Sequence, residues 1–230
     1  MYRVEMHYHN KEVSPCSPTP AAESIPLMKE HGIDAVIVTN HYAGYLLEKR
    51  EDDWQAAMDF YLSGYRAAKE IGDRIGLRVL LGMELRLNSA DANEYLVYGV
   101  TEQQLRDYPQ LYRMSQKEMR ELADKLGWFV AQAHPFRPGM TRCNPAYLDG
   151  LEICNAAPGH MFHNNNDLSA AFAEKYHLVG ISGSDFHAAR DVARGGCYFE
   201  NPVETIGDVI AALRAGTFTP IFPEEYAKNA

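Results

Sequence analysis

The sequence contains few cysteines, and none of them lie close enough together to form a ligand motif. The four are widely spaced and include no CxxC pair: Cys16, Cys143, Cys154 and Cys197. This spacing argues against a zinc ribbon and against a disulfide framework, because both need closely grouped cysteines. We therefore expect reduced thiols.

The sequence also lacks a long apolar run and an excess of positive charge. No run approaches the roughly 20 apolar residues that a membrane span needs. A net charge of -9 offers no clustered Lys and Arg for long nucleic acid, although bound cations could still attract a small anionic substrate. The opening MYRVEMHYHNKE has no basic segment before an apolar core, so no signal peptide is predicted and we expect a cytoplasmic protein.

No internal repeat, low-complexity tract or linker rich in Pro, Gly or Ser divides the chain. Its 230 residues, 46% hydrophobic and 23% charged, suit one globular domain. We expect a single domain over residues 1–230. The acidic composition does not distinguish a monomer from a dimer.

Short apolar runs alternate with helical patterns, which predicts βαβ units around a parallel sheet. The predicted strands span residues 2–9, 34–39, 78–84, 95–99, 129–133, 150–154 and 178–182. The predicted helices span residues 21–30, 53–75, 116–126, 168–176 and 205–214. About seven strands fit either a barrel or a doubly wound sheet, and both place a functional site at the carboxyl ends of the strands.

Side chains of the kind that bind metals follow several of these strands. His7 and His9 close the first strand at a spacing of two, so they project from one face and can hold the same ion. Further residues of this kind stand at later strand exits: His41, Glu84, His134, Asp185 and His187. Because the strand ends converge on one mouth, we expect a metal site there and not a scatter of solvated side chains.

Five segments of the chain resemble the PHP (polymerase and histidinol phosphatase) family. They are MHYHN, VTNHY, GMELR, AHPFR and SGSDFH, which occur in the family's order and together span nearly the whole chain. The resemblance implies an α/β fold, a distorted (β/α)7 TIM-like barrel. It also implies two or three divalent ions, usually zinc, manganese or iron, in a cleft at the strand ends.

The resemblance further implies how the ligands are shared. One ion would be held by His7, His9, Glu84 and Asp185. Glu84 would bridge to a second ion, which also takes His134. A third would be held by His41, His187 and a residue from the loop after His9, for which Glu12 is our choice.

Two points qualify the resemblance. Family members with three ions often carry a histidine between the positions of Glu84 and His134, and this chain has none. The segment NEYLVYG offers Glu94 or Tyr95 instead, so a binuclear site is an alternative. The amidohydrolase superfamily also begins with two histidines one residue apart, but no lysine lies at a middle strand end here, and SGSDFH fits the PHP ending better.

Hydrolysis of a phosphate ester is the reaction that such a cluster predicts, with a small phosphorylated metabolite or nucleotide as substrate. The expected catalytic residues are Arg137, His134 and Asp185. Arg137 is chosen because its planar guanidinium matches a phosphate and because it lies three residues after His134 in the sequence. Arg86, Arg142 and Arg190 are weaker candidates. The alternatives are a phosphodiesterase or oligonucleotide exonuclease, and a metal-binding module without catalysis.

Overall fold

Strands and helices alternate along the computed structural model, which describes residues 1–89, 93–159 and 163–224. The strands are β1 (Tyr2–Tyr8), β2 (Ala35–Val38), β3 (His41–Ala43), β4 (Arg78–Arg86), β5 (Glu94–Tyr98), β6 (Phe129–Gln132), β7 (Gly150–Asn155), β8 (Val179–Gly183), β9 (Cys197–Phe199) and β10 (Phe218–Pro220). The α-helices are α1 (Ala21–Glu30), α2 (Gly44–Leu47), α3 (Trp54–Ile75), α4 (Glu102–Asp107), α5 (Gln116–Leu126), α6 (Asn166–Tyr176) and α7 (Ile206–Ala215).

Seven strands form a nearly closed barrel in the order β1, β2, β4, β5, β6, β7, β8. Phe186, which follows β8, closes the ring by pairing with Tyr8 in parallel. Its N–H donates to His7 O, and its carbonyl accepts from His9 N–H, both at 3.0 Å. β9 pairs with the start of β1, and β10 pairs with β9, both antiparallel. The expected distorted α/β barrel of seven strands is confirmed.

The direction of β5 departs from the predicted parallel sheet. β5 runs antiparallel to both of its neighbours, β4 and β6, whereas the other neighbouring pairs of the ring are parallel. The reason is the short connection between β4 and β5, which spans only residues 87–93. A parallel connection needs a crossover of a dozen or more residues. As a result, the amino end of β5, not its carboxyl end, lies at the mouth of the barrel.

Five short elements were absent from the sequence prediction: β3, β9, β10, α2 and α4. Each spans only three to six residues, too few for a hydrophobic period to stand out. The longer elements agree with the prediction to within a few residues. A capping box begins α5, since Ser115 Oγ accepts from Glu118 N–H and Glu118 accepts from Ser115 N–H.

The helices pack around the strands and bury large aromatic side chains that fix the barrel. Trp128, just before β6, and Phe129, its first residue, are almost fully buried. Tyr98 on β5 donates a hydrogen bond to Met6 O at 3.0 Å. Burial of such side chains supplies much of the stabilising free energy of a domain of this size. Within the described residues, no helix has both the length and the apolar character required to cross a membrane.

Candidate metal centre

The mouth of the barrel gathers the metal-type side chains from five strands or their exits. β1 carries His7 and is followed by His9, and β8 is followed by Asp185 and His187. The remaining three, His41, Glu84 and His134, come from β3, β4 and the residues after β6. All seven approach one another in the structure, whereas Glu12, the eighth expected ligand, does not.

Four of these side chains converge with spacings that suit one cation. His7 Nε2 lies 3.3 Å from Glu84 Oε1 and 3.4 Å from Asp185 Oδ1. His9 Nε2 lies 3.3 Å from Glu84 Oε2 and 3.4 Å from Asp185 Oδ1. Ligand atoms arranged tetrahedrally at about 2.0–2.1 Å from zinc would lie about 3.3–3.4 Å from one another. The structure thus brings together the set expected for the first ion.

Glu84 stands at the centre of the cluster, with its two oxygens facing different histidines. Oε1 lies 3.2 Å from His134 Nε2, and Oε2 lies 2.8 Å from His41 Nδ1. The carboxylate is 1% exposed, so it has no water to solvate its charge. A carboxylate in this position can bridge two cations, as expected for Glu84.

Glu94 occupies the place where the sequence lacks a histidine. Its carboxylate lies 3.5 Å from His134 Nε2 and 3.6 Å from His41 Nδ1, and it joins His41 and Glu84 in a group able to hold an ion. It reaches the mouth because it begins the antiparallel β5. Of the two candidates in NEYLVYG, Tyr95 instead accepts a hydrogen bond at its hydroxyl from Gln116.

The loop after β1 brings Cys16, not Glu12, to the cluster. Cys16 Sγ lies 3.1 Å from His187 Nε2 and groups with His9, His41 and His187. Both carboxylate oxygens of Glu12 instead accept the N–H of Ala21 at the start of α1, at 3.0 and 3.2 Å. A carboxylate favours this position because the first N–H groups of a helix have no partner within the helix. The structure therefore does not support the choice of Glu12.

Hydrogen bonds at Nδ1 orient three of the histidines. His7 Nδ1 lies 2.9 Å from Glu152 Oε1, and His187 Nδ1 lies 2.7 Å from Asp185 O. His9 Nδ1 lies 3.2 Å from Ser14 Oγ, whose own proton is donated to Asn40 Oδ1. Each oxygen thus requires a proton on Nδ1, which leaves the Nε2 lone pair facing the cluster. This is the arrangement that supports histidine ligands in metal sites.

Glu152 on β7 is a supporting residue of the cluster. It is fully buried and binds His7 through Oε1. Its Oε2 accepts from the backbone N–H of His134 at 2.9 Å and from Asn155 Nδ2 at 3.0 Å. Asn155 also donates to Asp185 Oδ2 at 3.1 Å. One carboxylate therefore fixes two expected ligands directly and a third through Asn155.

The backbone around the cluster is held in uncommon conformations. His134 and Asp185 have φ values of 28° and 50°, which residues other than glycine seldom adopt. Such conformations persist where the surroundings hold them, often at functional sites. Gly183 leaves room beneath the cluster, because a Cβ there would overlap His7 Cβ and lie 2.9 Å from Glu152 Oε1.

The cluster concentrates opposite charges out of contact with water. Burial opposes ionisation of His7, but Asp185, Glu152 and Glu84 hold the pKa of His7 well above its ordinary value. Burial likewise opposes ionisation of Asp185, but His7 and the other neighbouring cations hold its pKa well below the usual range. Burial and the nearby His41 lower the pKa of His9 to about 3. Entering cations would displace the protons that these groups share.

The donors also pass a direct test of fit to a cation. His41 Nδ1 and Glu84 Oε2 are buried and lie 2.8 Å apart, yet neither atom makes a hydrogen bond among the described residues. The two atoms form an ion pair without hydrogen-bond geometry, and a buried polar atom that makes no hydrogen bond costs free energy. A divalent ion near both atoms would satisfy them, and the mixture of imidazole and carboxylate suits zinc, manganese or iron.

A cleft of about 380 Å³ opens onto this cluster. Its lining includes His41, Glu84, His134 and Asp185, with the arginines 86, 137 and 190 around them. Arg137 is 20% exposed; its Nη2 donates to Asp185 Oδ2 at 2.9 Å and its Nε to Asn164 Oδ1 at 2.8 Å. These two bonds leave donors of its guanidinium for an anion in the cleft.

Comparisons with known proteins agree with this architecture. Residues 163–218 match a family model described as PHP-associated, and no curated protein matches the sequence significantly. The fold is similar to that of PsfC from Pseudomonas syringae, with a TM-score of 0.69 and 21% identity over 98% of this chain and 93% of that one.

Two further structures share the fold. One is a two-domain protein from Bacteroides vulgatus containing a predicted PHP-like metal-dependent phosphoesterase, with a TM-score of 0.69 and 16% identity over 97% of this chain and 65% of that one. The other is an amidohydrolase from Chromobacterium violaceum, with a TM-score of 0.61 and 15% identity over 92% and 96%. The chain is thus similar to a PHP-associated family model over residues 163–218, and its barrel is shared with these solved structures.

Proposed function

We propose that this protein is a metal-dependent hydrolase that cleaves a phosphate ester of a small metabolite or nucleotide. The observation that carries the proposal is the convergence of His7, His9, Glu84 and Asp185, with ligand spacings that suit a cation, at the floor of a cleft lined by Arg137. The Bacteroides protein, which contains a predicted PHP-like phosphoesterase, shares the fold.

Two or three divalent ions are the cofactor that this arrangement would hold. His7, His9, Glu84 and Asp185 would bind the first, and Glu84, Glu94 and His134 the second. Cys16, His41 and His187 would bind a third. When bound, such ions lower the pKa of coordinated water and neutralise charge on a phosphoryl group.

The protein's own residues would then position the substrate and its charge. Arg137 would donate to non-bridging phosphate oxygens, since its fork-shaped guanidinium is only partly used by Asp185 and Asn164. The positive charge of Arg137 would complement the negative charge of a phosphate in the cleft. Burial opposes ionisation of Arg137, but neighbouring Asp185 stabilises the cation and raises the pKa of Arg137. His134 and Asp185, held in strained backbone conformations, would keep the ligand geometry fixed during turnover.

The size of the cleft favours a small substrate. About 380 Å³ accommodates a phosphorylated metabolite or a mononucleotide, since ligand pockets of roughly 300–1,000 Å³ bind molecules of drug size. The net charge of -9 opposes binding of a long nucleic acid. We therefore propose a monoester, with no long nucleic acid and no membrane as partner.

The test is release of inorganic phosphate from a panel of small monoesters by protein loaded with zinc, manganese or iron(II). We expect turnover of at least one monoester, loss on chelation, recovery on reloading, and loss in His134→Ala. Arg137→Ala should lower kcat/KM strongly, whereas Arg142→Ala, at a neighbouring arginine that stacks on Phe136, should not. Inactivity of the fully loaded protein against the whole panel would contradict the proposal.

The same assay distinguishes the alternatives. Cleavage of dinucleotides with no action on monoesters would support a phosphodiesterase or oligonucleotide exonuclease. Tight metal binding without cleavage of any ester would support a metal-binding module without catalysis.

A further inference from the structure

The two unusual donors of this chain fall in different ligand groups of the cluster. Cys16 contributes sulfur beside the ring nitrogens of His9, His41 and His187. Glu94 adds a second carboxylate to Glu84 in a group that shares His41 with the first, and it lies 3.5 Å from His134 Nε2. One group therefore offers mainly sulfur and nitrogen, and the other offers mainly carboxylate oxygen.

Donors of these two kinds prefer different cations. Thiolate and imidazole are ligands that suit zinc, whereas carboxylate oxygens suit manganese and other hard ions. The ordinary ranking of divalent ions by affinity would fill every site with the same ion, so selectivity has to come from the ligand type. Cys16 and Glu94 supply that difference within a single cluster.

The position of Cys16 allows it to serve as a ligand. It is exposed at the mouth of the cleft, and its sulfur lies 3.1 Å from His187 Nε2, the nitrogen left available because Nδ1 bonds Asp185 O. The backbone N–H of His41 donates to Ser14 Oγ at 3.2 Å, which fixes His41 to the loop that carries Cys16. The loop and both histidines are thus already arranged around one point.

We propose that the cluster is heterometallic, with a zinc-selective subsite formed by Cys16, His41 and His187. The subsite formed by Glu84, Glu94 and His134 takes a harder ion such as manganese. This proposal rests on the proposed metal-dependent function and adds the identity of the ions to it.

The burial of the cysteines makes the zinc subsite directly measurable. Cys16 is exposed, whereas Cys143, Cys154 and Cys197 are buried. An aromatic disulfide reagent added to the native full chain should therefore react rapidly with a single thiol, that of Cys16. The rate of this reaction reports whether a metal covers the sulfur, independently of any enzymatic activity.

The experiment compares the metal-depleted full chain with the same protein after addition of zinc or manganese. We expect zinc to slow the fast thiol reaction at least about tenfold and manganese to leave it unchanged. Cobalt(II) should give a thiolate charge-transfer absorption in the wild type that is absent in Cys16→Ser and in Cys16→His, although Cys16→His retains a third imidazole. Glu94→His should shift the bound manganese-to-zinc ratio toward zinc.

Two outcomes would overturn the proposal: a thiol that remains as reactive with zinc as without it, or equal protection by manganese. The result is separable from the proposed function. Protection by zinc without phosphate release would refute the hydrolase and leave the zinc subsite standing. Phosphate release by a protein whose Cys16 stays reactive in the presence of zinc would refute the zinc subsite and support the hydrolase.

Discussion

Replacement of Glu152 by glutamine should weaken metal binding without removing a ligand. Glu152 Oε2 accepts two N–H groups, from His134 N and Asn155 Nδ2, so the amide oxygen of glutamine must take that position. The amide NH2 then faces His7 Nδ1, 2.9 Å away in the wild type. Because two donors cannot face each other, the proton of His7 must move to Nε2, where it points into the cluster and blocks coordination.

The expected loss follows from the supporting role of Glu152. Changes in residues that orient metal ligands typically lower affinity 10–100-fold, which corresponds to about 1.4–2.7 kcal/mol. Titration calorimetry with zinc on metal-depleted protein measures this change, and circular dichroism checks that Glu152→Gln still folds. Fewer cations should also remain bound after dialysis.

Glu5→Gln is the matched control for this variant. Glu5 is a fully buried carboxyl on the same strand as His7, and its Oε1 accepts the N–H groups of His7 and Ser184. Burial raises the pKa of Glu5, so an uncharged amide is a close replacement for it. We expect wild-type metal affinity in this control. Wild-type affinity in Glu152→Gln as well would refute the argument from the His7 tautomer.

Three further results are expected. Gly183→Ala should lower the free energy of unfolding by about 1–3 kcal/mol in denaturant titrations, because its Cβ would overlap His7 and Glu152. Ser115→Ala should cost about 1 kcal/mol in the same assay through loss of the α5 cap, with metal content unchanged. Metal affinity measured by calorimetry should rise as the pH is raised toward 9, because His187 must lose its proton to bind a cation. Burial opposes ionisation of His187, but neighbouring Cys16 and Asp185 raise its pKa to about 9. A metal affinity that does not change with pH would contradict this.

The sequence predicted which side chains meet at the mouth of the barrel where those side chains directly follow strands. A strand fixes the side on which each residue projects, so His7 and His9 could be placed together from their spacing alone. Asp185 and His187 have the same spacing after β8, and the structure brings both to the mouth. The barrel and its longer helices were predictable for a similar reason, since their hydrophobic periods extend over enough residues.

Other features depend on tertiary structure that no local pattern reveals. The loop after β1 offers Glu12 and Cys16, and only the position of α1 determines that Glu12 turns to Ala21 while Cys16 faces His187. Glu94 reaches the cluster because β5 runs antiparallel, and the short β4–β5 connection was the available signal. Glu152 lies within a strand, where a buried carboxylate shows its purpose only through its partners.

Metal content per chain tests the central claim most directly. The measurement is elemental analysis of the full chain purified without added metal and after reconstitution, compared with Glu84→Gln, which removes the charge from the carboxylate placed between His134 and His41. We predict two or three equivalents per chain in the wild type and fewer in the variant. No bound metal in the wild type, even after reconstitution, would contradict the account.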